Sequence, residues 1–167
     1  MSSRTPVLII TCKQGNETWC EEEIGNILFR RDPQVIIAKS SYPDTLLVYS
    51  EVLSPEKAYR AVVFREYGFV ENVIPVFCKG SLQGSFEDFI KCIEGVLGNL
   101  REVKLRVRLR GVRGQSELLW RRIRDFLEKK NIRHSPESKN CLFVEGFESA
   151  LYGGVGFCQP IFKHLHE

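Results

Sequence analysis

The chain has 167 residues and a mass of 19.2 kDa, which suits one sizeable domain or two small ones and excludes a large multidomain enzyme. Hydrophobic residues make up 43% and charged residues 27%, so the composition predicts a folded core. The longest apolar runs span four residues, far short of the roughly 18 that a membrane helix needs. We expect no membrane span and, with no secretory leader visible, a cytoplasmic location.

Hydrophobic periodicity predicts six elements in the first 77 residues. In chain order they are a strand (7–12), a helix (16–31), two strands (34–39 and 45–49), a helix (55–64) and a strand (70–77). Asn16 and Ser54 stand where helix caps belong, and Pro43-Asp44 marks the turn between the second and third strands. This β-α-β-β-α-β order is typical of a ferredoxin-like sandwich.

Small and polar residues over 80–84 predict a linker, which divides the chain into domains 1–79 and 80–167. The second domain reads as a helix capped by Ser85, a strand (103–110), a helix ending near 130, and strands around 140–145 and 151–157. Three glycines at 153, 154 and 156 predict a bulge or a close backbone approach in the last strand. The expected fold class is α+β, a mixed α/β chain of two adjacent modules.

Positive charge is concentrated in one segment. Between Arg101 and His134 there are twelve Lys or Arg and four Asp or Glu, a local net charge of +8 in a chain whose total is +3. This asymmetry predicts a single basic surface that meets a polyanion. The alternative is a solvated charged face without a partner.

Within that segment, residues 103–110 alternate strictly between apolar and basic side chains, the pattern of a strand with one buried face. Lys104, Arg106, Arg108 and Arg110 would then project from the other face, about 7 Å apart. Like charges in such a row repel one another unless a carboxylate or an anion lies nearby. A phosphate backbone would supply that anion.

The turn after this strand contains Gly111, Arg113 and Gly114, and it leads into the start of a helix. A helix N-terminus offers free N–H groups and a positive dipole end that suit phosphate. An ordinary glycine turn is the alternative, since the spacing matches neither a P-loop nor a G-x-G-x-x-G motif.

Two groups of cations on this helix have structural explanations. Arg121 and Arg124 each precede an acid by four residues, Asp125 and Glu128, which predicts local ion pairs. The last cations of the segment suit the negative end of the helix dipole, and they also remain candidates for contact with the polyanion. They are Lys129, Lys130 and Arg133.

Catalytic and metal-binding candidates are few. The six cysteines include no C-x-x-C pair, so we expect reduced core residues rather than a zinc site or disulfides. Cys12, next to Lys13, is the best thiolate candidate, but no histidine lies near it in the sequence. His164 and His166 make only a weak metal chelate. We predict no cofactor, no metal and no enzymatic activity.

Segments 103–130, 140–145 and 151–156 resemble the THUMP domain, an RNA-binding module of tRNA-modifying proteins. Residues 7–17 and 72–76 are similar to the ferredoxin-like domain that precedes THUMP in that family. The resemblance covers nearly the whole chain and rests on hydrophobicity, the basic strand and glycine placement. A chain of these two domains alone is similar to the adaptor that presents tRNA to a separate cytidine acetyltransferase.

The resemblance implies that tRNA is the partner, contacted at its acceptor end and D-arm region, with an RNA acetyltransferase as a second partner. Acidic residues 21–23 would suit that protein partner better than RNA. The alternatives are a ferredoxin-like regulatory or oligomerisation module and a small enzyme that uses Cys12. The expected RNA-binding residues are Lys104, Arg106, Arg108, Arg110, Gly111, Arg113, Gly114, Lys129, Lys130 and Arg133.

Overall fold

The computed structural model describes residues 4–84 and 86–158 and divides them into two compact units. The N-terminal unit ends at Val76 and the C-terminal unit begins at Phe77, close to the boundary expected after residue 79. The expected mixed α/β class is confirmed. Among the described residues, no helix is long and apolar enough to cross a membrane.

The N-terminal unit contains six elements in the predicted order. They are β1 (Leu8–Cys12), α1 (Glu17–Leu28), β2 (Ile36–Lys39), β3 (Thr45–Tyr49), α2 (Pro55–Val63) and β4 (Val70–Pro75). The strands form one antiparallel sheet in the order β2-β3-β1-β4. Connectivity and strand order are those of the ferredoxin-like sandwich.

The two helices of this unit start differently. Ser54 caps α2 as predicted, because its hydroxyl accepts the Lys57 N–H at 3.2 Å and Pro55 occupies the first helical position. Asn16 precedes α1 but caps no N–H with its side chain, which donates instead to the Gln14 carbonyl. The prediction of an Asn16 side-chain cap is therefore wrong.

One acidic side chain of α1 has a structural role in the N-terminal unit. The Glu23 carboxylate accepts the backbone N–H groups of Gly68, Phe69 and Val70 at 2.7, 2.7 and 3.1 Å, so it holds the loop that enters β4. Charge-assisted hydrogen bonds of this kind are among the stronger ones in proteins. Glu23 is therefore a structural residue of the acidic segment, whereas Glu22 is exposed.

The C-terminal unit contains seven elements. They are β5 (Cys78–Ser81), α3 (Phe86–Leu97), β6 (Glu102–Arg110), α4 (Ser116–Lys129), β7 (Arg133–His134), β8 (Asn140–Phe147) and β9 (Ala150–Phe157). The sheet order is β5-β9-β8-β6-β7, in which β6 runs parallel to β7 and β8 while the other neighbours are antiparallel. The sequence predicts neither β5 nor β7. Residues 80 and 81 lie in β5, so the expected linker over 80–84 is wrong in part, and Ser85 lies outside the described residues.

Both helices of this unit pack on one face of the sheet. Their buried stripes meet Val103 and Leu105 of β6 and Leu142 and Val144 of β8 in a single apolar cluster. The stripes consist of Phe89, Ile93 and Leu97 on α3 and Leu119, Ile123 and Leu127 on α4. This cluster fixes which face of the sheet turns away from the helices.

Two glycines allow the Phe89 ring to lie directly on the sheet. A Cβ atom at Gly80 would stand 2.6 Å from Phe89, and one at Gly153 would stand 2.8 Å from both Phe89 and Ile93. The close backbone approach predicted for the glycine-rich last strand is thus confirmed at Gly153.

All six cysteines are paired, contrary to the expectation of reduced thiols. Cys12 bonds to Cys20 within the N-terminal unit, and the C-terminal unit holds Cys78–Cys92 and Cys141–Cys158. Sequence spacing did not reveal the pairs because β9 returns Cys158 beside the start of β8, seventeen positions from Cys141. Each disulfide closes a loop within one unit, which restricts the unfolded chain.

We predict that replacing Cys141 and Cys158 together with Ala lowers the free energy of unfolding by about 3 kcal/mol, the value expected for a loop of this length. Urea denaturation without reductant measures the loss. Under strong reductant the variant and the parent should become nearly equal in stability. A difference that is the same with and without reductant would contradict the disulfide contribution.

Candidate nucleic-acid interface

Strand β6 places three basic side chains on the face of the sheet away from the helices. Val103 and Leu105 are buried in the apolar cluster, so by alternation Lys104, Arg106 and Arg108 lie on the opposite face. Lys104 and Arg106 are half-buried and Arg108 is exposed. We call these three residues the basic row.

The basic row lies along an outer edge of the sheet. The two-residue β7 pairs only with Glu102 and Val103. Beyond Val103, β6 has β8 on one side and no strand on the other among the residues that the structure describes. The row therefore borders a free strand edge, where a long polyanion has access to the side chains.

Arg110 does not belong to this row, contrary to the sequence prediction. Its side chain is buried, with 7% of the residue exposed, and its Nη1 donates to Glu145 Oε1 at 2.9 Å. The guanidinium also stacks on the Phe147 ring, 4.7 Å from the ring centroid. Alternation correctly assigns the face of Arg110, but a local pattern carries no information about a carboxylate 35 positions away.

Glu145 is the carboxylate that partly offsets the repulsion within the row. Burial raises the pKa of its carboxyl, while the positive charges of Arg110, Arg108 and Arg106 act in the opposite direction. Sequence reasoning missed Glu145. The available signal is its position as the single acid in the apolar strand 141–147, where a buried charge requires a partner.

The turn after β6 retains its predicted features. Gly111 and Gly114 have φ angles of 80° and 73°, a region that favours glycine. Arg113 between them is exposed and forms no ion pair with any described residue. At the start of α4, Gln115 provides no side-chain cap, so the N–H groups of the first turn keep their affinity for anions.

The cations after α4 are mostly engaged with acids. Lys130 pairs with Glu94 of α3, and Arg133 pairs with Glu102 of β6 at 2.9 Å. Lys129 is exposed. All these ion pairs are solvent-accessible, so a phosphate could replace the carboxylates at small cost.

The arginines on the exposed side of α4 differ from prediction in their partners. Arg121 pairs with Glu117, one turn before it, at 2.6 Å rather than with Asp125. The Arg124 guanidinium lies over the Trp120 ring, 5.2 Å from its centroid, and not on Glu128. The prediction of a local ion pair is therefore correct in kind for Arg121, although with a different acid. For Arg124 it is wrong, because the guanidinium contacts an aromatic ring instead.

The predicted single basic surface is divided by the sheet. The basic row faces away from the helices, whereas Lys129, the last residue of α4, and Lys130, which follows it, lie on the helical side. Arg113 precedes this 14-residue helix and Lys130 follows it, so the length of the helix, about 20 Å, separates them. The expected residues thus lie on both sides of the sheet instead of forming one surface.

The structure removes one candidate nucleophile that the sequence offered. Cys12 is bonded to Cys20 and therefore offers no free thiol, so the alternative of an enzyme acting through Cys12 has lost its nucleophile. Within 4–84 and 86–158, no three His, Cys, Asp or Glu side chains are grouped as metal ligands. His164 and His166 lie outside the described residues.

A scan against protein-family models gives no match, and neither does a search among curated proteins. Among solved structures, the chain is similar to TrmN from Thermus thermophilus, with 14% identity and a TM-score of 0.57 over 89% of this chain and 44% of TrmN. It is also similar to PH1313 from Pyrococcus horikoshii Ot3, with 15% identity and a TM-score of 0.58 over 91% of this chain and 54% of PH1313. These likenesses show a shared, THUMP-like fold. The chain spans about half the length of either structure.

We predict that Arg110→Met lowers the free energy of unfolding by about 3 to 5 kcal/mol, because it leaves the buried Glu145 carboxylate uncompensated. Without Arg110 the pKa of Glu145 rises further above its value in the unfolded chain. The folded state then binds more protons, so the loss of stability should grow as pH rises from 5 to 8. Urea denaturation across this pH range provides the measurement.

Two further variants complete this test. Arg108→Met, an exposed neighbour on the same strand, should change stability by no more than about 0.5 kcal/mol. Arg110→Met combined with Glu145→Leu should recover most of the loss, because the buried charge is gone. Additive losses in the double variant would show that the two residues are not coupled.

Proposed function

We propose that the chain is a tRNA-binding protein that serves tRNA modification as a non-catalytic adaptor. The observation that carries this proposal is the basic row on the free edge of β6 in a unit with a THUMP-like fold. A strip of cations along an edge suits a phosphate backbone, and recognition of structured RNA depends on shape and phosphate more than on base sequence.

Arg110 and Glu145 pair with each other and leave two cations of the row open to a phosphate. Their ion pair is buried and satisfies the carboxylate, which leaves Lys104 and Arg108 without an ion pair to any described residue. A phosphate that approaches the row therefore displaces no internal partner of these two side chains. The contact residues of the proposal are the basic row, Gly111, Arg113 and Gly114, with the accessible cations Lys129, Lys130 and Arg133 beyond them.

The proposed partner is an RNA acetyltransferase that modifies a cytidine of the bound tRNA. The resemblance of the sequence to a two-domain adaptor supports this role. Under this proposal, the acceptor end and the D-arm region of tRNA contact the adaptor, and exposed acids of α1 such as Glu22 contact the enzyme.

We place this activity in the cytoplasm, where tRNA is modified. Three disulfides are uncommon in a cytosolic protein, except in hyperthermophiles, whose intracellular proteins are rich in them. A tRNA-binding role combined with these disulfides therefore favours a protein that works at high temperature.

Edge protection is the second explanation of the basic row. Charged side chains on an exposed strand edge prevent pairing with another sheet, and beyond Val103 β6 has such an edge among the described residues. On this explanation the row needs no ligand, and the chain would be a regulatory module without nucleic acid.

We predict that the parent binds total tRNA and that its affinity falls steeply as the salt concentration rises. A DNA duplex of equal charge should compete poorly for the same site. The variant Lys104→Ala/Arg106→Ala/Arg108→Ala should lower the slope of log K against log salt by about 2 to 3 and weaken binding, because three phosphate contacts are lost. Fluorescence anisotropy with labelled tRNA over a salt series measures both quantities.

A charge-matched control separates specific contacts from net charge. Arg30, Arg31 and Lys57 of the N-terminal unit are exposed, and replacing all three with Ala removes the same charge. This control should bind tRNA nearly as well as the parent. Equal weakening of both triple variants, or equal competition by DNA, would favour edge protection over RNA binding.

A further inference from the structure

An aromatic and cationic cluster lies at the same sheet edge as the basic row. The His134 ring of β7 meets the Trp120 ring of α4 edge-on, with 5.4 Å between centroids and 86° between planes. Arg124, one helical turn after Trp120, lies over the Trp120 ring. We call Trp120, Arg124 and His134 the stacking cluster.

The cluster is accessible and borders the basic row. Arg124 is exposed, and Trp120 and His134 are half-buried. His134 pairs in register with Val103, so it belongs to the helical face, while the adjacent Lys104 belongs to the opposite face. The cluster and the row thus flank one strand edge from its two sides.

The electrostatics of His134 involve cations of both the cluster and the basic row. Burial lowers the pKa of its imidazole, and the positive charges of Arg124 on α4 and Lys104 on β6 lower it further. Both effects favour the uncharged imidazole, so the ring adds a flat surface beside two cations. Planar rings next to cations are what proteins use to stack unpaired bases and hold the neighbouring phosphates.

We propose that the stacking cluster binds an unpaired nucleobase of a single-stranded RNA segment whose phosphates lie along the basic row. The base stacks on the Arg124–Trp120 pair. Lys104, at the β7 end of the row, is the cation nearest to the phosphate of that nucleotide. This inference rests on the proposed RNA-binding function and adds an unpaired segment as the chemical class of ligand at this edge.

The first test uses the fluorescence of Trp120 in the full chain. The sequence has two tryptophans, so Trp19→Phe leaves Trp120 as the sole indole. A twelve-nucleotide single-stranded oligoadenylate should quench the emission, because a stacked base quenches indole fluorescence, whereas a blunt RNA duplex of equal charge should not. An unchanged Trp120 emission on saturation with the oligonucleotide would overturn the proposal.

The second test compares affinities for the same oligoadenylate by anisotropy. Trp120→Leu should weaken binding roughly tenfold, within the range that loss of one stacking contact gives, and Trp120→Phe should retain most of the affinity. Arg124→Ala, at an exposed position, should weaken binding several-fold and covers the case in which Trp120→Leu fails to fold. Trp19→Leu is the matched control, since Trp19 is an exposed aromatic residue of the N-terminal unit and should not matter.

The outcomes separate this proposal from the function on which it rests. If the basic-row variant loses tRNA while folded Trp120→Leu and Arg124→Ala bind the oligonucleotide like the parent, the stacking site is wrong and the tRNA-binding function stands. If the parent binds neither tRNA nor the oligonucleotide, both proposals are wrong.

Discussion

The parallel pairing of β6 with β8 determines which charges of the C-terminal unit meet solvent and which are buried. Its register sets Arg108 beside Glu145 and Arg110 beside Phe147, while Val103 and Leu105 enter the apolar cluster under the helices. A shift of one residue would bury the basic row against α3 and α4, where unpaired cations cost several kcal/mol each. Burial of the apolar side chains of β6 under the helices therefore keeps its basic side chains on the opposite face of the sheet.

This constraint also explains why one of four alternating cations behaves differently. Arg110 stands at the end of β6, where the neighbouring strand offers both a carboxylate and an aromatic ring. A buried ion pair of this kind is weak evidence for stability, because hydrophobic replacement is often as favourable, but breaking one half is expensive. The Glu145 carboxylate of this pair stands beside Arg108 on the neighbouring strand, and its negative charge reduces the mutual repulsion of the row.

The sequence predicted much of the fold, because its signals are local. Periodicity and the Ser54 cap correctly indicated four helices and seven strands close to their observed positions. It missed β5, whose residues 78–81 resemble a linker and become a strand only by pairing with β9 under Phe89. It also missed the disulfide partners and Glu145, since both depend on strands distant in sequence coming together. For the candidate site, the sequence identified the basic residues. It did not show that they lie on two sides of the sheet or that Arg110 forms an ion pair with Glu145.

Amide hydrogen exchange of the full chain, with and without saturating tRNA, tests whether the free edge of β6 contacts the RNA. The outer edge of β6 meets no further strand beyond Val103 among the described residues, so its outward amides should exchange quickly in the free protein. We expect tRNA to slow exchange in peptides covering 103–114 and to leave exchange in α2 of the N-terminal unit unchanged. Protection confined to the N-terminal unit, or unchanged exchange across 103–114 with tRNA bound, would contradict it.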